Sequence, residues 1–268
     1  MSSVPSVPSL PPFSASAVVS ALRAAGCVFA EDEAELILGT ARTPAELAAM
    51  VDRRAAGLPL EHVLGWARFH GLRIAVEPGV FVPRRRTEFL VDQALALAPD
   101  AGVVVDLCCG SGALGAALAA ALGPVEVHAA DIDPAAVRCA RRNLAPYDGR
   151  SHVGDLFDAL PPALRGRVGI LTANVPYVPS AEVPLLPAEA RDHEPPVALD
   201  GGVDGLDVLR RVAAGAPDWL APGGVLLTET SERQAPSAVR AFTDAGLTAR
   251  TAVSEELYAH VVIGVRER

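Results

Sequence analysis

Apolar positions recur at helical spacing from residue 13 to residue 56. Ala17, Val18, Ala21 and Leu22 share one face, and Leu36, Ile37 and residues 47–51 continue the pattern. Thr43-Pro44 predicts a helix start, with Thr as cap and Pro at the first helical position. Gly57 and Pro59 break the spacing. Two short apolar runs, 66–69 and 72–76, then flank His70-Gly71 and predict a hairpin, and Pro78-Gly79 and Pro83 mark a linker. The expected first domain is therefore a small helical unit with a hairpin, residues 13–84, preceded by a disordered Ser/Pro-rich tail, residues 1–12. After Thr87 the period changes. Short β-branched runs at 103–107, 125–130, 151–153, 168–172 and 225–230 alternate with helical stretches at 89–97, 112–122, 134–144, 206–219 and 232–245. That alternation predicts an α/β domain, residues 85–268, with an open, mostly parallel sheet covered on both faces. Runs at 248–253 and 260–265 have no helix between them, so the sheet should end in an antiparallel pair.

Composition narrows the function classes. The chain has 268 residues, half of them hydrophobic, enough to bury a large core. It contains no run of about 18 to 20 uncharged apolar residues, which argues against a membrane span. Its start lacks the basic and apolar segments of a signal peptide. Cys27, Cys108, Cys109 and Cys139 form no disulfide-rich pattern, so a cytoplasmic, reducing home is expected. A formal charge of −9 gives no general attraction to phosphate backbones, and strong nucleic-acid binding is not expected. All 23 basic residues are Arg, which reads as genomic bias. The six His residues show no metal-ligand spacing, and Ser111 lacks a hydrolase context.

The first chemical signal is Asp106-Leu107-Cys108-Cys109-Gly110-Ser111-Gly112-Ala113-Leu114-Gly115, between a strand and a helix. Gly110, Gly112 and Gly115 fit G-x-G-x-x-G, which lets backbone approach a ligand at a helix N-terminus. Alone, the pattern is weak, because a tight strand-to-helix turn with no ligand is its bland alternative. Two carboxylates sharpen it. Asp106 at the strand end would repel a pyrophosphate but can receive an ammonium group. Asp131, at the tip of the second strand, is placed to accept from both ribose hydroxyls, while Asp133 caps the next helix. S-adenosylmethionine (SAM) has an amino-acid end, a ribose and no phosphate, so this set favours it over NAD.

The second signal is Thr172-Ala173-Asn174-Val175-Pro176-Tyr177 at the end of the fourth strand. Asparagine occurs here and at Asn143 only. The Asn amide oxygen and the next backbone carbonyl are two acceptors that suit one planar NH₂ group, with the Tyr ring against its face. Holding both N–H bonds orients a poorly nucleophilic amide nitrogen toward a methyl donor. An Asn-containing turn is the bland alternative.

With these residues in view, the chain resembles the HemK/PrmC-type protein-(glutamine-N5) methyltransferases. Gly57-Leu58-Pro59-Leu60-Glu61-His62-Val63-Leu64-Gly65 is similar to that family's G-x-P-x-x-Y-I-x-G segment. Phe81-Val82-Pro83-Arg84-Arg85-Arg86-Thr87-Glu88 is similar to its L-I-P-R-P-E-T-E linker, and 191–195 and 198–206 resemble its long insert. Its Asn-Pro-Pro-Tyr tetrapeptide falls on Asn174, Val175, Pro176 and Tyr177 as the catalytic set. The resemblance implies a Rossmann-like class I SAM-dependent methyltransferase sheet and SAM as cofactor. The cofactor side would comprise Asp106, Cys108, Cys109, Gly110, Ser111, Gly112, Asp131, Ile132, Asp155, Leu156 and Asn174. It also implies methylation of a glutamine side-chain amide in a protein, a release factor or ribosomal protein first, gripped by residues 1–84. Three positions differ from the pattern: Val175 for the first Pro, Cys108-Cys109 for Gly-Thr, and Arg85-Arg86 for Pro-Glu. Beside this reading stand an amino methyltransferase acting on a nucleic-acid base, a SAM-binding module without turnover and, more remotely, an NAD enzyme.

Overall fold

The structure is a computed structural model that describes residues 14–267. The tail expected at residues 1–12 lies outside the described residues. The chain divides into two compact units, one ending at Leu64 and the other beginning at Gly65.

The first unit is helical. α1 (Ala15–Ala24), α2 (Ala30–Thr40) and α3 (Pro44–Ala55) are followed by the short α4 (Leu60–Leu64), which the Gly57-Pro59 break had concealed. Thr43 caps α3 as its sequence predicts, its hydroxyl accepting from Glu46 N–H at 3.1 Å, with Pro44 in the first turn. Val18, Leu22, Ile37 and Met50 are buried. Arg54 forks onto the carboxylate of buried Glu33 at 2.6 and 3.0 Å, a geometry that satisfies both charges at once.

The second unit opens with the hairpin β1 (Trp66–Phe69) and β2 (Leu72–Ala75), paired antiparallel. Here the expected boundary at residue 84 is corrected to residue 64. Phe69 and Ile74 are buried in the same cluster as Leu90, Leu114 and Val104, so the hairpin packs on the α/β unit. The elements that follow are α5 (Glu88–Leu97), β3 (Val103–Leu107), α6 (Ala113–Leu122), β4 (Glu126–Asp131), α7 (Pro134–Leu144), β5 (Arg150–Val153) and β6 (Val168–Ala173). The short α8 (Ala188–His193), α9 (Asp207–Trp219), β7 (Leu220–Thr230), α10 (Ala235–Asp244), β8 (Thr248–Ser254) and β9 (Ala259–Val265) complete the chain.

Seven strands form one sheet in the order β5-β4-β3-β6-β7-β9-β8, parallel except for β9, which runs antiparallel to both β7 and β8. Alternation decides the layers. Val105, Leu107, Leu171 and Leu226 face a cluster with Leu209 and Val212 of α9 and Phe242 of α10. Val104, Ile170, Val225 and Leu227 face α5, α6 and α7. The sheet is thus covered on both sides, which is why β3 is buried along its whole length. Strand order reverses between β3 and β6, and the crevice beyond their carboxyl ends is where such sheets bind ligands. Among the described residues, no helix is long and apolar enough to cross a membrane.

Candidate functional site

At the first half of that crevice, the chain leaves β3 and turns directly into α6. The turn takes left-handed backbone at Cys108 (φ +51°), Gly110 (+51°) and Gly112 (+75°). Gly112 is required twice over, because a Cβ there would also meet Ala140 Cβ at 2.9 Å. Cys108 adopts the left-handed region with a side chain, a conformation that disfavours non-glycine residues by about 1–2 kcal/mol. Cys109 N–H donates to the Ala130 carbonyl at 3.1 Å, and Gly112 N–H to the Cys109 carbonyl at 2.7 Å. The loop is therefore latched to the end of β4. Burial pushes both thiols up, so neither is a ready thiolate. Ser111 is buried, and its carbonyl accepts from Asn143 Nδ2 at 2.8 Å.

Asp106 takes a different part from the one its position suggested. It is fully buried. Its oxygens accept from Gly115 N–H at 3.0 Å and Thr172 Oγ1 at 3.0 Å, joining α6 and β6 to β3. Burial raises its pKa to about 7. As folded, the carboxyl is a strut beneath the turn and is closed to a ligand's ammonium group.

Asp131 lies at the tip of β4. One oxygen accepts from Gly110 N–H and the other from Asp133 N–H, each at 2.9 Å. Burial raises its pKa. The carboxylate offers about four lone-pair sites, and the backbone N–H groups of Gly110, Ile132 and Asp133 do not use all of them. Ile132 beside it is 54% exposed, an apolar side chain held out where a carboxylate and a glycine turn would otherwise make a wholly polar surface. At the end of β5, Gly154 N–H donates to the Asp131 carbonyl at 3.0 Å. Asp155 pairs with Arg211 at 2.7 Å, and Leu156 is buried with left-handed backbone. The structure so brings together 108–112, Asp131 and Ile132, with 154–156 following the neighbouring strand.

The second half of the crevice is the exit of β6. Val175 is buried in the cluster beneath α9, so it serves as a core contact where the resembled pattern has proline. Asn174 Oδ1 is buried and accepts no hydrogen bond. Leaving such an acceptor unmade costs about 1–3 kcal/mol, which a fold tolerates where a ligand's donor is to be received. Pro176 and Tyr177 are pinned from the insert. A Cβ on Gly201 would approach the Pro176 carbonyl to 2.6 Å, and one on Gly205 the Tyr177 carbonyl to 2.2 Å. Gln234 Nε2 donates to that Tyr177 carbonyl at 2.8 Å.

Four residues of this half were not singled out for the site from the sequence. Glu229, buried near the end of β7, accepts from Tyr177 Oη at 3.0 Å, Arg86 Nε at 2.8 Å and Thr87 Oγ1 at 2.5 Å. Burial and the Glu229 carboxylate push the Tyr177 phenol up to about 12. Gln234 is the fourth. Glu194, in the insert, holds Arg84 at 2.6 and 2.7 Å and so ties the linker down. A usable signal did exist for Glu229: like Asp106 and Asp131, it is a carboxylate near the end of an apolar strand.

A family model described as "Methyltransferase small domain" matches residues 71–177. The chain is 39% identical over 208 residues to the release factor glutamine methyltransferase of Geobacter sulfurreducens, covering 76% of this chain and 72% of that one. It is 37% identical to the 4-amino-L-phenylalanine/4-methylamino-L-phenylalanine methyltransferase of Streptomyces pristinaespiralis, over 73% of this chain and 69% of that protein. Among solved structures, a methyltransferase from Pyrococcus furiosus superposes with a TM-score of 0.56 at 17% identity, covering 82% of this chain and 98% of that chain. That last likeness concerns the fold.

Proposed function

The chain belongs to the release factor glutamine methyltransferase family, and from that membership we propose that it methylates the side-chain amide nitrogen of a protein glutamine, with a release factor as first acceptor. The observation that carries the reading is the buried, unpartnered Asn174 Oδ1.

SAM is the cofactor, and the donor half of the crevice fits it. A phosphate-free nucleoside needs a turn that backbone can line, an acceptor for ribose and an apolar surface for a base. Gly110 and Gly112, Asp131 and Ile132 supply these in turn. Cys108, Cys109 and Ser111 complete the turn, and Asp155 and Leu156, which follow the neighbouring strand β5, would hold the base. SAM, when bound, supplies an electrophilic methyl group on a sulfonium. Asp106 supports this half from beneath through Gly115 and Thr172.

At the acceptor half, Asn174 Oδ1 and the Val175 carbonyl receive the two N–H bonds of the amide. Tyr177 offers its ring to the amide face. Their effect is orientation: the nitrogen is presented with its N–H bonds engaged, and the entropic part of the barrier is met beforehand. Preset acceptors in a dry pocket favour the charge that develops on the amide as it reacts. The helical first unit, described over residues 14–64, would grip the protein that carries the glutamine.

The test is incubation of the chain with methyl-labelled SAM and purified release factors, and in parallel with a whole-cell extract, followed by peptide mass spectrometry. Label on a release-factor glutamine is expected. Label on another protein's glutamine keeps the chemistry and moves the partner. Label confined to nucleic acid, or to small aromatic amines of the kind named for the Streptomyces pristinaespiralis relative, would overturn the reading.

A further inference from the structure

Three side chains close a ring of hydrogen bonds beside the tetrapeptide. Arg86 Nε donates to Glu229 Oε1 at 2.8 Å, and Arg86 Nη2 donates to Tyr177 Oη at 2.6 Å. Tyr177 Oη in turn donates to the same Glu229 oxygen at 3.0 Å. Glu229 is 2% exposed at its side chain, and a buried carboxylate needs a cation or several donors as partners; it has both, because Thr87 Oγ1 binds its other oxygen. The phenol hydroxyl therefore accepts from Arg86 and commits its one proton to Glu229. With the Tyr177 carbonyl held by Gln234, the residue is fixed at both ends.

We propose that Arg86 is a positioning residue for methyl transfer: by bridging Glu229 and the Tyr177 hydroxyl, it sets the direction of the Tyr177 ring before the acceptor amide arrives. The inference rests on the reading that Tyr177 faces that amide. Only a planar fork reaches both oxygens from one side chain, so Lys is a partial substitute and a neutral residue a poor one. The linker pattern that residues 81–88 resemble carries Glu at this place. A carboxylate there would oppose Glu229 and could not donate to the phenol, so the Arg changes what holds the ring.

Arg86→Gln, Arg86→Lys, Tyr177→Phe and the Arg86→Gln/Tyr177→Phe double variant separate positioning from simple stability. The measurements are kcat and KM with a release factor as acceptor, and calorimetric affinity for S-adenosylhomocysteine. Misorientation of the ring by Arg86→Gln is expected to lower kcat about tenfold or more with the nucleoside affinity unchanged. Arg86→Lys should recover part of that loss. In the Tyr177→Phe background, Arg86→Gln should change kcat less than about twofold, the non-additivity of residues acting as a unit. Equal losses in both backgrounds, or a parallel loss of nucleoside affinity, would overturn the proposal.

A readout without acceptor keeps it distinct from the proposed function. In protein labelled with 3-fluorotyrosine, the ¹⁹F line of Tyr177, one of three tyrosines, is assigned by its loss in Tyr177→Phe. Arg86→Gln should move that line toward its denatured-chain position, and Arg86→Lys should move it less. An unmoved line refutes the role of Arg86 even if release factors are methylated. A moved line with no methylation of any glutamine supports that role and removes only the acceptor assignment.

Discussion

The two halves of the crevice are built in opposite ways. The donor half is assembled from residues close together in sequence, 106–112 and 131–133, and its polar groups already bond one another: Asp131 to Gly110 and Asp133, Asp106 to Gly115 and Thr172. The acceptor half is closed by residues from distant parts of the chain, Arg86, Thr87, Glu229 and Gln234, yet it leaves its central acceptor, Asn174 Oδ1, unmade. A site that binds one constant cofactor can be satisfied internally and lend its remaining lone pairs. A site that must orient a difficult nucleophile keeps an acceptor in reserve and spends its contacts on holding the neighbouring Tyr177 still.

The sharpest way to break this contrast is Asn174→Ala. It should lower turnover by about two orders of magnitude or more, the scale of one lost transition-state hydrogen bond, while leaving SAM affinity nearly intact. Comparable losses in rate and affinity would mean that the halves are not separate. The converse change is Asp131→Ala, which should weaken SAM by about 2–4 kcal/mol, read by calorimetry, because a charged acceptor is lost and Gly110 is released. Undiminished affinity would take the ribose assignment away from Asp131.

Smaller effects sharpen the account of the donor half. Gly112→Ala imposes a left-handed alanine and a Cβ contact with Ala140, so it should cost about 1–3 kcal/mol of stability in denaturant titration. The last test is the pH dependence of Asp106. Its folded pKa of about 7 lies above its unfolded value, so the native state binds the extra proton. Stability from this group is complete below about pH 4 and is lost as pH rises toward about 7. Asp131 is shifted upward too, so Asp106→Asn should flatten part of that decline in the urea midpoint. An unchanged slope would show that Asp106 is not held as a buried acid.

Local signals made most of the α/β unit legible. Val103–Leu107 and Pro134–Leu144 form as the hydrophobic period predicts, and the alternation predicts the mostly parallel, doubly covered sheet, but not the reversal of order between β3 and β6. The hairpin was read correctly as an element but assigned to the wrong unit, because its spacing does not reveal that Phe69 and Ile74 pack against α5 and α6. Asp106 was visible as a carboxylate at a strand end, but whether it faces a ligand or Gly115 depends on the depth of the turn. Arg86 and Glu229 lie 143 positions apart and meet only in the folded sheet. No spacing rule joins them.

The central claim, that Asn174 Oδ1 is kept for an acceptor amide, is tested most directly by a crystal structure of the chain with S-adenosylhomocysteine and a release-factor peptide bearing the glutamine. The account predicts the glutamine Nε2 at hydrogen-bond distance, about 2.7–3.2 Å, from both Asn174 Oδ1 and the Val175 carbonyl, with the Tyr177 ring on its face. A peptide seated with its glutamine elsewhere, or an Asn174 oxygen still without a donor in that complex, would contradict it.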